Sequence, residues 1–201
     1  MSLEFFVKKL FSNGIIMFGE FTLTSGIKSP YYIDLRKALS KPSLLREITF
    51  MYVSKIREHG VPDVIAGIET GSIAWAATVA YVLNKPMVYV RKKPKGHGAG
   101  RLIEGDISER STVVVLDDVA TTGGSLARAV EALRNEGANV SYALVFIDRE
   151  QGAKERLEKA GVKLYSVFSI SQLITMLHSL GYISQNLYEK LFNYIRGGKG
   201  V

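Results

Sequence analysis

Apolar positions along the chain change their period several times, and each change marks an element. Phe6, Val7, Leu10 and Phe11 share one face of a predicted helix over 3–13, with Ser2 as candidate N-cap and Gly14 as terminator. Phe21 and Leu23 then alternate with Thr22 and Thr24, and beyond the turn residues Ser25-Gly26 and Ser29-Pro30 lies a second strand-like run, 31–35. Helical spacing returns after Pro42, through Leu44, Leu45, Ile48, Met51, Tyr52 and Ile56, and stops at Gly60. From there strands expected at 63–66, 87–90, 112–116, 140–147 and 163–167 alternate with helices at 72–83, 124–135 and 151–159. Val113 to Leu116 are apolar without alternation, as in a strand buried on both faces. Such βα alternation predicts an α/β fold with a doubly wound parallel sheet, whose ligands sit at the C-terminal ends of the strands. Two further helices, 169–180 and 184–195, each with a serine N-cap, complete the pattern, and 197–201 is expected to be disordered. With no internal repeat and no linker, 1–201 reads as a single domain.

Composition narrows the chemistry. The 201 residues include no cysteine, which excludes disulfides, thiolate catalysis and Cys-based zinc sites, and leaves only His59, His97 and His178 as imidazoles. No secretory segment or apolar run of membrane-spanning length is present, so a soluble, cytoplasmic protein without a membrane partner is expected. The net charge of +7 favours an anionic partner. Its distribution is more telling: Arg91, Lys92, Lys93, Lys95 and Arg101 fall in a run without an acid, interleaved with Gly96, Gly98 and Gly100. Glycines in place of aromatics suit a hinged loop that closes on an anion, and not a stacking platform for nucleic-acid bases. The alternative for such a charge run is a solvated basic turn.

The most informative stretch is 111–129, STVVVLDDVATTGGSLARA. It reads as a buried strand, two adjacent acids, a small-residue turn and a helix. Thr122, Gly123 and Gly124 leave room for backbone N–H groups to curl around an anion, and the helix opening near Ser125 would direct its positive end at it. Neither GxxxxGK[ST] nor GxGxxG is present. Asp117 and Asp118 suit the vicinal hydroxyls of a sugar whose 5′-phosphate the turn would hold. Taken singly, the acids would serve equally as caps or metal ligands, and Gly-Gly as a tight turn.

The whole arrangement resembles the phosphoribosyl-diphosphate signature of type I phosphoribosyltransferases, and four further stretches bring the chain close to the orotate phosphoribosyltransferases. FTLTSGIKSPYYIDLR (21–36) is similar to that family's N-terminal hood segment, and IAGIETGSIAWA (65–76) to its pyrophosphate loop, with Glu69, Thr70 and Gly71 at the turn. RKKPKGHGAGRLIEG (91–105) resembles its flexible catalytic loop, and VFIDREQG (145–152) the segment whose arginine meets the base. The resemblance implies the type I fold, with a small hood formed by about 1–40 and 165–195. It implies Mg²⁺-dependent transfer of ribose 5-phosphate from phosphoribosyl diphosphate to orotate, giving orotidine 5′-monophosphate and diphosphate in pyrimidine biosynthesis. Arg91, Lys92, Lys95 and His97 would meet the diphosphate, partly across a homodimer interface. Lys95 and His97 would be catalytic together with Asp117 and Asp118, and an imidazole could hand a proton to the departing diphosphate. Asp117, Asp118, Ala120, Thr121, Thr122, Gly123, Gly124 and Ser125 would hold the ribose and its 5′-phosphate. Arg149 would grip the orotate carboxylate as a planar, two-pronged donor, its alternative being a surface pair with Asp148. Thr121 would add a hydrogen bond to the base, and Tyr31 or Tyr32 would pack on its face. Magnesium, an oxygen-seeking ion that keeps its waters, would be held mainly by substrate, without a dedicated protein site.

Three positions, in two segments, depart from the family pattern. Thr24 stands where a lysine is frequent, and Ser72 and Ala74 where a glycine and a proline are frequent. Trp75 is expected to pack in the core. Two rivals share the fold: a purine-base phosphoribosyltransferase, against which Arg149 and the intact basic loop speak, and a non-catalytic DNA-binding regulator, for which no helix-turn-helix appendage is present.

Overall fold

The computed structural model describes residues 2–22, 26, 28–94 and 101–197. Helix α1 (Leu3–Ser12) is capped by Ser2, whose hydroxyl accepts from Phe5 N–H, and leads into an antiparallel pair, β1 (Ile16–Thr22) and β2 (Lys28–Ile33). A 3₁₀ turn, Leu35–Ser40, precedes α2 (Pro42–His59). Then follow β3 (Val64–Ile68), α3 (Ile73–Leu83), β4 (Met87–Val90), β5 (Ile103–Glu104), β6 (Thr112–Ala120), α4 (Gly124–Asn135) and β7 (Asn139–Asp148). The chain continues through α5 (Ala153–Lys159), β8 (Lys163–Ser169), α6 (Ile170–Ser179) and α7 (Gln185–Gly197).

The main sheet has the order β5-β4-β3-β6-β7-β8, parallel throughout except for β5, which runs antiparallel to β4. The pleat sorts its side chains. Ile65, Val114, Leu116, Leu144 and Phe146 face one layer with α2 and α3, while Ala66, Val113, Val115, Ala143 and Val145 face α4 and α5. Helices α1, α6 and α7 and the β1–β2 pair share the first of these cores, through Phe6, Leu10, Tyr31, Leu173, Leu177 and Ile195, so the N- and C-terminal segments build on the sheet's own apolar layer. Trp75 is fully buried beside Tyr52, as expected.

Four expectations need correction. The sheet carries an antiparallel edge strand, β5, because two residues paired to β4 are too short to leave a periodic signal. Strand β1 starts at Ile16, where pairing with Ile33 sets its beginning, although polar and apolar residues alternate clearly only later. Leu35 begins a helical turn instead of ending a strand. Strand β6 runs through Asp117 and Asp118 to Ala120, because β7 stays beside it and Val119 and Ala120 pair with Ile147 and Asp148. Of the expected disordered tail, Gly197 closes α7, and 198–201 lie outside the described residues, as do Leu23, Thr24 and Ser25. Among the described residues no helix is long and apolar enough to cross a membrane.

Candidate active site

The C-terminal ends of β3, β6 and β7 carry Glu69 to Gly71, Asp117 and Asp118, and Arg149 respectively. At the end of β6 the two acids are tied to the backbone: Asp118 N–H donates to Asp117 Oδ1 (3.0 Å), and Val119 N–H donates to Asp118 Oδ1 (2.8 Å). The hydroxyl of Tyr52, from α2, donates to the Asp117 carbonyl at 2.7 Å. Buried Ser72 clasps two strands, since its hydroxyl accepts from Ile68 N–H (2.6 Å) and lies 2.8 Å from the Leu116 carbonyl, to which it donates. Thus Ser72, one of the departures from the family pattern, fastens the turn after β3 to β6 directly before the acids. Gly71 in that turn lies so close that a Cβ there would come 2.9 Å from Asp118 Oδ2, so a larger residue would have to push the Asp118 carboxylate aside. The Glu69–Thr70 peptide bond of the same turn is cis.

Asp117 faces a cavity of about 260 Å³ lined also by 119–126 and Arg128. Gly123 opens α4 at φ +73°, and a Cβ there would meet Ala153 Cα at 3.0 Å, so both the turn and the approach of α5 require glycine. The N-cap of α4, Gly123, has no side chain with which to cap it. Its first N–H groups and its positive end therefore present donors suited to a phosphate. Burial and the neighbouring Asp118 charge push the Asp117 carboxyl well above the usual carboxylate range, and burial raises that of Asp118. Two such acids in a desolvated corner favour a ligand that brings hydroxyl donors and a cation.

Arg149, just past β7, is only 5% exposed. Its Nε donates to the Tyr31 hydroxyl (3.2 Å), its Nη2 donates to Ser29 Oγ (3.1 Å), and its guanidinium carbon sits 4.6 Å from the Tyr31 ring centroid. Ser29 in turn donates to the Tyr31 carbonyl at 2.7 Å. The expected alternative, a surface pair with Asp148, does not form. Asp148 is buried, accepts from Glu150 N–H (2.9 Å) and lies 3.4 Å from Lys154 Nζ. Among the described residues no carboxylate lies within ion-pair distance of Arg149, so a buried cation waits with neutral partners only. Neighbouring residues of a strand face opposite sides, so Tyr31 and Tyr32 cannot both line the site. Tyr31 lies buried under Arg149 and edge-on to Tyr194, while Tyr32 meets Phe21 at 5.6 Å. The backbone of Arg149 donates to the Ala120 carbonyl (2.9 Å), which sets the arginine beside Thr121 and the phosphate turn.

The basic run begins next to this cleft. Lys92 N–H donates to Glu69 Oε2 at 2.8 Å, joining it to the turn after β3. Arg91 is not uncompensated: Glu104 on β5 lies 3.2 Å from its Nη1, and its Nε donates to the Lys93 carbonyl. The acid that balances it comes from beyond the run itself. Lys95 and His97 lie outside the described residues.

The phosphoribosyl transferase domain family matches residues 36–174 of the chain. An orotate phosphoribosyltransferase of Staphylothermus marinus is 44% identical over 197 residues, 98% of this chain and 96% of that protein. The chain belongs to the phosphoribosyltransferase family.

Among solved structures of the family, an orotate phosphoribosyltransferase from Aeropyrum pernix superposes with a TM-score of 0.78 at 39% identity, covering 89% of this chain and 99% of that one. The structure of Leishmania donovani UMP synthase gives 0.86 at 29% identity; it covers 98% of this chain, which spans 43% of that longer protein. The fold is that of a phosphoribosyltransferase. Within that frame, Ser29, Tyr52, Ser72 and Arg128 escaped sequence reading. Arg128 had a local signal, since it follows Ser125 by three residues and so shares its helical face. The other three act across the fold, and nothing near them in the chain announces it.

Proposed function

We infer that this protein is an orotate phosphoribosyltransferase, which moves ribose 5-phosphate from phosphoribosyl diphosphate to N1 of orotate and releases diphosphate, a step of pyrimidine biosynthesis. The observation that carries this reading is Arg149. A buried guanidinium with only a hydroxyl pair and an aromatic ring for company is stabilised by an arriving anion, and orotate brings a planar carboxylate that matches its fork. Purine bases have no carboxylate to offer.

The roles follow from position. The uncapped start of α4, with Thr122, Gly123, Gly124 and Ser125, receives the 5′-phosphate, and Arg128 adds a cation to its rim. Asp117 and Asp118 accept hydrogen bonds from the ribose hydroxyls and so fix C1′ between the leaving group and the base. Breaking the C1′–O bond places positive charge on the sugar and negative charge on the departing diphosphate. The turn at Glu69, Thr70 and Gly71 and the cations Arg91, Lys92, Lys95 and His97 surround that diphosphate, partly from the partner protomer of a homodimer. Arg149 and Thr121 orient orotate for attack, with Tyr31 beneath the arginine. The donor set at the cleft suits magnesium arriving with the substrate, since Asp117 and Asp118 supply hard oxygens. Bound there, Mg²⁺ would neutralise diphosphate charge. The segments 1–40 and 165–195 act as a hood over one domain.

The test is the ultraviolet loss of orotate in the presence of Mg²⁺ and phosphoribosyl diphosphate. Orotate is expected to be consumed with stoichiometric diphosphate release. Consumption of adenine, hypoxanthine or guanine with orotate untouched would select the purine reading, and specific duplex-DNA binding without turnover the regulator.

A further inference from the structure

The loop that carries Arg149 is anchored on both sides, and the second anchor belongs to the hood. Upstream, Asp148 accepts from Glu150 N–H and the Arg149 N–H reaches the Ala120 carbonyl. Downstream, the carboxylate of Glu150 accepts from Ser171 N–H, in the first turn of α6, at 3.0 Å. Glu150 itself is held at φ +58°, a left-handed conformation that a side-chain-bearing residue adopts at a cost. A charged residue kept in that conformation, with its carboxylate on the positive end of a ten-residue helix, serves something other than local backbone preference. Helix α6 also packs against α7, and Tyr194 of α7 stands edge-on to Tyr31, the ring under the guanidinium. Glu150 therefore closes a loop of contacts: Arg149 to Tyr31, Tyr31 to α7, α7 to α6, and α6 back to the residue after Arg149.

We propose that Glu150 is a positioning residue for base recognition, fixing the direction of the Arg149 guanidinium by tying its loop to the N-terminus of α6. This rests on the reading of Arg149 as the orotate-binding residue. Because the α6 N-terminus faces the Glu150 carboxylate, that charge is engaged and does not oppose the carboxylate of the incoming base. The hood thus contributes to base selection through a backbone N–H donor, without a side chain of α6 touching orotate.

Two variants separate positioning from folding. Glu150→Gly removes the tether but suits the left-handed backbone, so its fold is not handicapped at that position. Glu150→Gln keeps an acceptor oxygen for Ser171 N–H. Expected for Glu150→Gly is a rise of about tenfold in the KM for orotate, with the KM for phosphoribosyl diphosphate unchanged within about twofold, a retained melting temperature, and a narrowed preference for orotate over uracil, which lacks the carboxylate. Glu150→Gln should restore most of the orotate KM. An unchanged orotate KM and orotate-to-uracil preference in Glu150→Gly would overturn the proposal, as would equal losses for both substrates. If the wild-type protein leaves orotate untouched, the reading of the reaction itself falls; if it consumes orotate and Glu150→Gly does so with the same KM, only this inference falls.

Discussion

The proposed phosphate side of the cleft is drawn from a single run, Asp117 to Arg128, while the proposed base side joins Arg149 to Ser29 across 120 positions of the chain. On the phosphate side the donors belong largely to the backbone, at a helix start whose cap is a glycine, and the group proposed to bind there is a compact anion that many proteins hold this way. On the base side the proposed recognising group is one side chain, bonded to neutral partners of β2 and followed by a residue tied to α6. A backbone cradle needs small residues and a correct turn. A buried guanidinium needs neighbours that satisfy its donors without neutralising it, and such neighbours come from tertiary packing. The two halves should consequently fail in different ways.

The strongest break is expected at Arg149. Arg149→Ala should lower kcat/KM for orotate by about 10³-fold, the scale of truncating one partner of a buried charge pair, while the KM for phosphoribosyl diphosphate stays nearly constant. Arg149→Lys should recover little, because an ammonium lacks the fork; initial rates at varied orotate decide this. Next comes Asp117→Asn, expected to cost about 10²-fold in kcat/KM through lost substrate positioning. The same substitution should raise the melting temperature of the unliganded protein at neutral pH by about 3 °C for ~1 kcal/mol. The sign follows from the raised carboxyl: its folded value lies above its unfolded ~3.9, so the folded state binds more protons in that window and stability is lost as pH rises through it. A scan of melting temperature against pH should show the fall in wild type and a shallower one in Asp117→Asn.

Smaller effects sharpen the contrast. Arg128→Ala should raise the KM for phosphoribosyl diphosphate by about fivefold, with less difference at high salt, and leave the orotate KM alone, since an exposed cation contributes modestly and is screened. Tyr31→Phe keeps the ring under the guanidinium and removes only the acceptor for Nε. A rise of about threefold in the orotate KM is expected, the scale of one hydrogen bond. If Arg128→Ala moved the orotate KM as much as Tyr31→Phe does, the two halves would not be independent.

What could be read along the chain was what neighbours within a few residues decide. The period of apolar residues located β4, α4 and the helices of the α/β alternation, because burial on one face must repeat with the geometry of the element. Small residues and adjacent acids marked 117–125 as a ribose-phosphate holder, because the cradle is contiguous. The arginine of 145–152 was also visible, but its partners across the fold were not; the alternative of a pair with Asp148 does not form, because that acid serves Glu150 N–H and Lys154 instead.

By itself the sequence determined the alternating sheet, the anion turn and the candidate residues, since backbone geometry and local periodicity act over one turn or one pleat. Only the tertiary structure decided that Ser72 would clasp β3 to β6, that Tyr31 would lie beneath Arg149 while Tyr32 faces the other way, and that Glu150 would be tied to the first turn of α6. Those choices depend on which faces are buried together, and burial joins residues that no local pattern connects.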